Sequence, residues 1–376
     1  MSELSHKTPP TVSIITRCKG RLKNLQQTLR IMLHQDYYYT EVIVVNYNSP
    51  DGLHEWLVNE FKQQIDIGRL IETYVSNTLY FDHPHSRNIG LKAAIGDFVM
   101  FLDSDVVAHT ELISHLVKRI GDMENTFAMV GYPTPIDCSG IIFARRKDLV
   151  DLGGFQESFN GWGYEDGDMR DRLFLNGREM FSFNPKYVHG VDHYDYERYM
   201  YFKPPYNIQT DKNWKKIVRD DNREKSLQYI KANGIIANKN TTWGNGGEIL
   251  FNGKRYLERI VDSKESLVLF QELYKGMKGA YVLFWGPTGE CINEKELLDA
   301  GCPKAYLDRA KKSKAEKLFK QVYNINDIKD KEVFIVPEKI VVDNPDDLKS
   351  KPRYIPMKSK DDDIIVDIDE PKQSNI

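Results

Sequence analysis

The chain has 376 residues, 41% of them apolar and 28% charged, with a net charge of −3. That length is too great for one small core and argues for a large domain with a smaller one. The balance is that of a soluble globular protein, and it gives no electrostatic reason to expect nucleic acid as a partner.

In chain order, "MSELSHKTPP" has no apolar core of the kind a signal peptide carries. "TVSIIT" (11–16) reads as a buried strand, and Leu22, Leu25, Leu29 and Leu33 then repeat at helical spacing. "EVIVVN" (41–46) is the next strand and runs into the turn cluster "YNSPDG". A helical stretch with Leu53, Leu57 and Phe61 leads to "LIETYV" (70–75). "SRNIGLKAAIG" reads as a helix with Ser86 as N-cap and Gly96 near its end, followed by the apolar strand "DFVMFL" (97–102). Two more strands are expected in "FAMVGY" (127–132) and "GIIFARR" (140–146). This alternation predicts an α/β fold, a mostly parallel sheet with helices on both faces. In such sheets ligands bind beyond the carboxyl ends of the strands, which points to Arg17, to "NYNSPDG" and to "DSD".

After about residue 205 lysine, asparagine and aspartate rise, and "TDKNWKKIVRDDNREKSLQYIKAN" reads as a charged amphipathic helix. "GAYVLFWG" (279–286) and "EVFIVPEKIVV" (332–342) are expected strands of a smaller appended region. From Lys351 the polar, proline-punctuated sequence predicts a mobile tail. The layout expected is a tail at 1–10, a main domain at 11–205, an accessory region at 206–350 and a second tail at 351–376. No apolar run approaches the roughly 18–20 residues of a membrane span. Cys18, Cys138, Cys291 and Cys302 form no C-x-x-C pair. Reduced thiols in a cytoplasmic protein are the expectation, with attachment to a membrane surface through a basic patch left open.

Four segments carry residues suited to chemistry. In "FLDSDV" (101–106), Asp103 and Asp105 stand where a buried strand meets solvent, so both can approach one ion. Mg²⁺ and Mn²⁺ take oxygen ligands, often one or two carboxylates together with substrate phosphates. The plainer alternative is an acidic turn that ends the strand. In "HPHSRNIG" (83–90), Arg87 lies in a helix's first turns, where free N–H groups and a guanidinium suit phosphate. Arg17 has the same standing, and for both a surface arginine is the plainer alternative.

"FNGWGYEDGDMRDRL" (159–173) predicts a helix from near Glu165 to Gly177. Asp166–Arg170 and Asp168–Arg172 are i, i+4 pairs, and Met169 and Leu173 face the core together. Those features account for most of the charges but not for the preceding Gly-Trp-Gly, which lets the backbone turn sharply beside a large flat ring. In "NPKYVHGVDHYDYE" (184–197), His189 and His193 are four apart, but Gly190 and Tyr-Val favour a strand end or loop over a zinc-binding helix. One histidine joining two aspartates around Mn²⁺ is the better metal reading, since imidazole suits softer ions than Mg²⁺. A hydrogen-bonded histidine near the surface is the plainer one.

Taken together, these segments resemble the GT-A glycosyltransferases that use nucleotide sugars. "TVSIITRCKGRLKNLQQTL", "EVIVVNYNSPDG" and "SRNIGLKAAIGDFVMFLDSD" look like the common bacterial family 2 pattern. "GGFQESFNGWGYEDGDMRDRLFLNG" looks like the segment shared by β-1,4-galactosyltransferases, chondroitin polymerases and polypeptide N-acetylgalactosaminyltransferases. The resemblance covers roughly residues 10–200. It implies a GT-A, Rossmann-like fold with Asp105 as direct metal ligand and Asp103 reaching the ribose or the metal. His189 fits the third metal position best, with His193 in reserve. Arg17 and Arg87 would face the nucleotide and diphosphate, Trp162 would line the sugar or acceptor pocket, and Glu165 would bind a sugar hydroxyl. Asp166 would be the general base.

Two positions depart from the pattern. Asn46 stands where many relatives place an acid that binds uracil, with Asp51 as the nearby replacement, and Tyr164 replaces the usual glycine of W-G-G-E-D. The Glu-Asp pair follows the inverting members. The resemblance thus implies a metal-dependent (Mn²⁺ or Mg²⁺) inverting transferase. It would move a hexose or N-acetylhexosamine from a UDP-sugar to a hydroxyl acceptor, a glycan being expected. The alternatives are a retaining enzyme, a different nucleotide, or an inactive sugar-binding or scaffolding module. Oligomerisation through the C-terminal region is left open.

Overall fold

Short, doubly buried strands make the centre of the molecule. The computed structural model describes residues 9–207, 212–251, 254–261, 280–286 and 288–322, with scattered positions between 264 and 275. Strand β1 (Val12–Cys18) is buried along its whole length. It lies between β2 (Thr40–Asn46) and β4 (Phe98–Phe101), with Ile14 opposite both Val42 and Met100. With β3 (Leu70–Val75) these strands run parallel, and their near-continuous Val, Ile and Phe content suits a sheet covered on both faces. β7 (Ile142–Arg145) joins β4 antiparallel, followed by β6 (Thr126–Val130) and β8 (Glu179–Phe183). On the other side β10 (Gly247–Phe251), β11 (Lys254–Ile260) and β12 (Ala280–Trp285) extend the sheet beyond β3.

The fold is therefore the expected α/β one, a large mostly parallel central sheet flanked by helices. α1 (Leu22–Leu33) buries Leu25, Leu29 and Leu33 of the stripe that its spacing predicts, with Leu22 half-buried at its start, and adds Met32. α2 (Leu53–Glu60), α3 (Lys62–Asp66), α5 (Leu112–Ile120) and α6 (Arg146–Asp151) add to the layers. Strands on both sides of residue 205 share this sheet, and one apolar core runs from Val12 to Leu307. α9 (Glu294–Asp299) and α10 (Lys304–Val322) pack at that end, where the Tyr306 hydroxyl donates to Leu70 O.

α4 (His83–Ala93) begins earlier than the sequence suggests. Asp82, not Ser86, is its N-cap, accepting from His85 N at 2.9 Å. Ser86 lies inside the first turn and donates to His83 O. Pro84 explains the early start, because proline is tolerated in a first turn. Gly96 lies past the helix end, with its N–H donated to Ser13 Oγ. The strand expected at 332–342 and the tail from 351 lie outside the described residues. Among those described, no helix is long and apolar enough to cross a membrane, and the four cysteines are free thiols.

Candidate active site

The chain order reverses at β1, whose two neighbours lead away in opposite directions, and the candidate residues gather beyond its carboxyl end. A cavity of about 360 Å³ is bordered there by Arg17 from β1, Asp103 and Asp105 after β4, and His83 and Arg87 from α4. Trp162, Glu165 and Asp166 close it from α7 (Glu165–Leu175) and the loop before it. Asp51 and His189 do not border it.

Gly140, beside β7, is the floor. A Cβ built there would lie 2.9 Å from Arg87 Nη2, 3.8 Å from Asp103 Oδ2 and 4.0 Å from Asp166 Oδ2. Asp103 after β4 and Asp166 of α7 thus face one small space, although they are far apart in sequence.

Arg87 is 1% exposed, packed over the rings of Phe101 and Phe155 and donating to Gly140 O. Its Nη2 lies 3.8 Å from Asp103 and 3.7 Å from Glu165. Arg17 donates to Asp103 and makes a 3.1 Å contact with His83 Nδ1. An arginine always donates, so His83 Nδ1 accepts and the ring is neutral. Burial, reinforced by Arg17, pushes the His83 pKa well below its ordinary value, which agrees. Burial works against ionisation of Asp103, but Arg17 and Arg87 outweigh it and hold that carboxyl well below the usual range. Burial pushes Glu165 the other way, up to about 7, helped by the charge of Asp166.

The Gly-Trp-Gly turn has a packing cause. Gly161, Gly163 and Tyr164 all have positive φ, at 66°, 94° and 74°. A Cβ at Gly161 would lie 2.7 Å from the Tyr206 ring, and one at Gly163 would lie 3.3 Å from Arg219 of α8 (Trp214–Asn233). Trp162 borders the cavity and meets Trp214 edge to face. Tyr164 is buried rather than projecting, with its ring over Gly167 and its hydroxyl donated to Asp171 at 2.6 Å. Of the two i, i+4 pairs, Asp168–Arg172 forms, while Arg170 reaches Asp171 instead. Asp166 consequently has no ion pair among the described residues and keeps its carboxylate at the cavity.

His189 lies exposed on β9 (Val188–Gly190), opposite Val107 of β5 (Val106–Ala108). The histidine beside Asp105 is His193, Nε2 to Oδ2 3.5 Å. After β9 the chain turns inward, since Val191 N donates to Asp105 O at 2.7 Å, and this carries His193 under the carboxylate. His193 Nδ1 lies 3.1 Å from Val191 O. A carbonyl only accepts, so Nδ1 donates there, while the buried Nε2 makes no hydrogen bond and faces Asp105. Among the described residues no three His, Cys, Asp or Glu side chains converge to hold a metal by themselves. Asp105 and His193 make a two-donor set that fits Mn²⁺ when substrate phosphates complete its shell. In this structure Asp105 instead accepts from Arg21 at 2.6 Å. Burial raises its pKa, against the pull of Arg21.

Asp51 is occupied elsewhere. It accepts from Leu22 N and Ser49 Oγ and so anchors the start of α1. Asn46 donates to the buried Glu72 and accepts from Ser49 N. Arg21, His83, Asp137 and Gly140, all on the cavity's border, were not singled out from the sequence. Arg21 had a signal, four residues past Arg17, whereas Asp137 and Gly140 sit in a loop with none.

Residues 13–182 match the family model described as glycosyl transferase family 2. A poly-beta-1,6-N-acetyl-D-glucosamine synthase of Staphylococcus epidermidis is 25% identical over 137 residues, 36% of this chain and 32% of that protein. The match thus spans about a third of that relative's length. Solved structures are similar too, two of them as follows. A mannosyltransferase from Pyrobaculum calidifontis, in complex with GDP-Man and Mn²⁺, is 17% identical with a TM-score of 0.44, covering 61% of this chain and 77% of that one. S. aureus TarS 1–349, in complex with UDP-GlcNAc, is 17% identical with a TM-score of 0.42, covering 61% and 74%. The match of residues 13–182 to glycosyl transferase family 2 supports glycosyl transfer as the chemistry of this chain.

Proposed function

We propose that this protein is a metal-dependent, inverting glycosyltransferase that moves a hexose or N-acetylhexosamine from a UDP-sugar to a hydroxyl acceptor, with residues 11–205 as its catalytic part. The observation that carries the reading is the meeting of Asp103, Arg87 and Asp166 around Gly140. Transfer needs a cationic end, where charge develops on the departing diphosphate, and a basic end, where the acceptor loses a proton. Arg17 and Arg87 supply the first, fixed by burial before any substrate arrives. Asp166 supplies the second, as the carboxylate left without an ion pair. The acceptor oxygen, giving its proton to Asp166, attacks the anomeric carbon from the face opposite the diphosphate, which leaves as the sugar–phosphate bond breaks, and this single displacement inverts the centre.

Asp105 and His193 would hold Mn²⁺ or Mg²⁺, with Asp103 reaching the ribose or the metal. A bound cation there supplies charge stabilisation for the diphosphate. Trp162 offers a flat face to the sugar, and Glu165, beside Arg87, a partner for a sugar hydroxyl. The free thiols are in keeping with a cytoplasmic setting. The matched relative's name makes UDP-N-acetylglucosamine the first donor to test.

The test is UDP release from a panel of UDP-sugars with Mn²⁺, Mg²⁺ or EDTA. Metal-dependent release from one sugar is expected, through slow transfer to water. No release together with no UDP binding would instead identify a non-catalytic module.

A further inference from the structure

Beside the main cavity is a second hollow of about 270 Å³, which shares Tyr164, Asp166 and Arg219 with it. α7 contributes Arg170, and α8 contributes Arg219 and Arg223, one turn apart on the same face. These three guanidinium groups are weakly compensated. Arg170 donates to Asp171 Oδ1 only at long range, 3.4 Å from Nε and 3.3 Å from Nη2, while the Tyr164 hydroxyl takes Oδ2. Arg219 meets Asp220 at 3.5 Å, with both side chains half exposed. Arg223 has no ion pair among the described residues, and its Nε is buried without an acceptor. Among the described residues the only acids on the border are Asp166 and Asp220.

We infer that this hollow binds an anionic group of the acceptor, a phosphate or carboxylate next to the hydroxyl that Asp166 activates. The inference rests on the transferase reading and names the acceptor's class. Like charges held this close repel unless an anion joins them, and guanidinium forks match phosphate and carboxylate oxygens two at a time. The shared wall explains the placement. An anion held by Arg170 and Arg223 leaves a neighbouring hydroxyl within reach of Asp166, whereas a neutral acceptor gives three arginines nothing to bind.

The experiment titrates glycerol 3-phosphate, glucuronate and glycerol into the full chain, with saturating UDP present to fill the donor side. It is run on wild type, Arg223→Gln, Arg219→Gln and the distant control Arg69→Gln, each checked for folding by thermal unfolding. One anion should bind wild type and the control, glycerol should not, and both α8 variants should weaken the anion at least tenfold. Which anion binds separates a phosphate acceptor from a carboxylate one. If Arg223→Gln unfolds, Arg219→Gln carries the same test on a half-exposed side chain. Anion binding that is absent, or unchanged by the variants, overturns the proposal while UDP binding keeps the transferase reading. Anion bound where UDP is not overturns the transferase reading, and with it the acceptor assignment.

Discussion

Asp105 and His193 face each other at 3.5 Å because the backbone N–H of Val191 is tied to the carbonyl of Asp105. The histidine therefore follows the acid wherever the loop goes. His193→Ala should raise the Mn²⁺ concentration needed for half-maximal UDP release by at least about tenfold, the low end for groups that tune a metal site. His189→Ala, exposed on β9, should leave it unchanged. A metal titration of both variants checks this, and the reverse ranking would restore His189 as the ligand.

The choice between these histidines shows what the sequence could and could not carry. Strand alternation, the stripe of α1 and the start of α7 were legible because burial on a fixed period sets them. So were Asp103, just past β4, and Arg87 and Asp166, in the first turns of α4 and α7. His193 was ambiguous because its position depends on one backbone hydrogen bond after β9, which leaves no mark in spacing. Asp51 looked available for ligand binding because nothing local reveals that Leu22 N and Ser49 claim its carboxylate. Gly140 was invisible for a different reason, since its value lies in the absence of a side chain among Arg87, Asp103 and Asp166.

Asp166→Asn keeps the shape of the α7 start and removes the base. The rate of transfer should fall by about 10²–10⁴-fold, the usual contribution of a positioned general base. UDP binding, measured by titration, should hold, because Arg17 and Arg87 are untouched. Loss of both together would point to damage in the turn before α7 rather than to lost chemistry.

Glu165 gives a prediction about pH. Burial pushes its pKa up to about 7 from an ordinary 4.5. The folded state therefore keeps the proton more tightly than the unfolded state. The stability this contributes is present below 4.5 and is lost as pH rises through 7. Glu165→Gln cannot ionise, so its stability relative to wild type should improve between pH 5 and pH 8 by on the order of 2 kcal/mol. Denaturant unfolding at both pH values reads the difference directly. A gap that does not change with pH would mean that Glu165 stays charged throughout.

The helix that presents Asp166 is held by a buried pair, and breaking it should cost more than any surface change. Asp168 and Arg172 are 2% and 1% exposed, joined by contacts of 2.9 and 2.5 Å. Asp168 also accepts from Ser226 of α8 at 2.6 Å, and Arg172 donates to Leu152 O and Gly154 O. Asp168→Ala leaves a guanidinium buried without its counter-charge, so a loss of about 3–5 kcal/mol is expected in urea unfolding. Ser226→Ala alone should cost about 1 kcal/mol. In the Asp168→Ala background it should cost almost nothing, because its acceptor is already gone. The double-mutant cycle thus measures how firmly α7 and α8 are joined, and with them Asp166 and the arginines of the second hollow. Additive losses would show that the two helices are held together by other contacts.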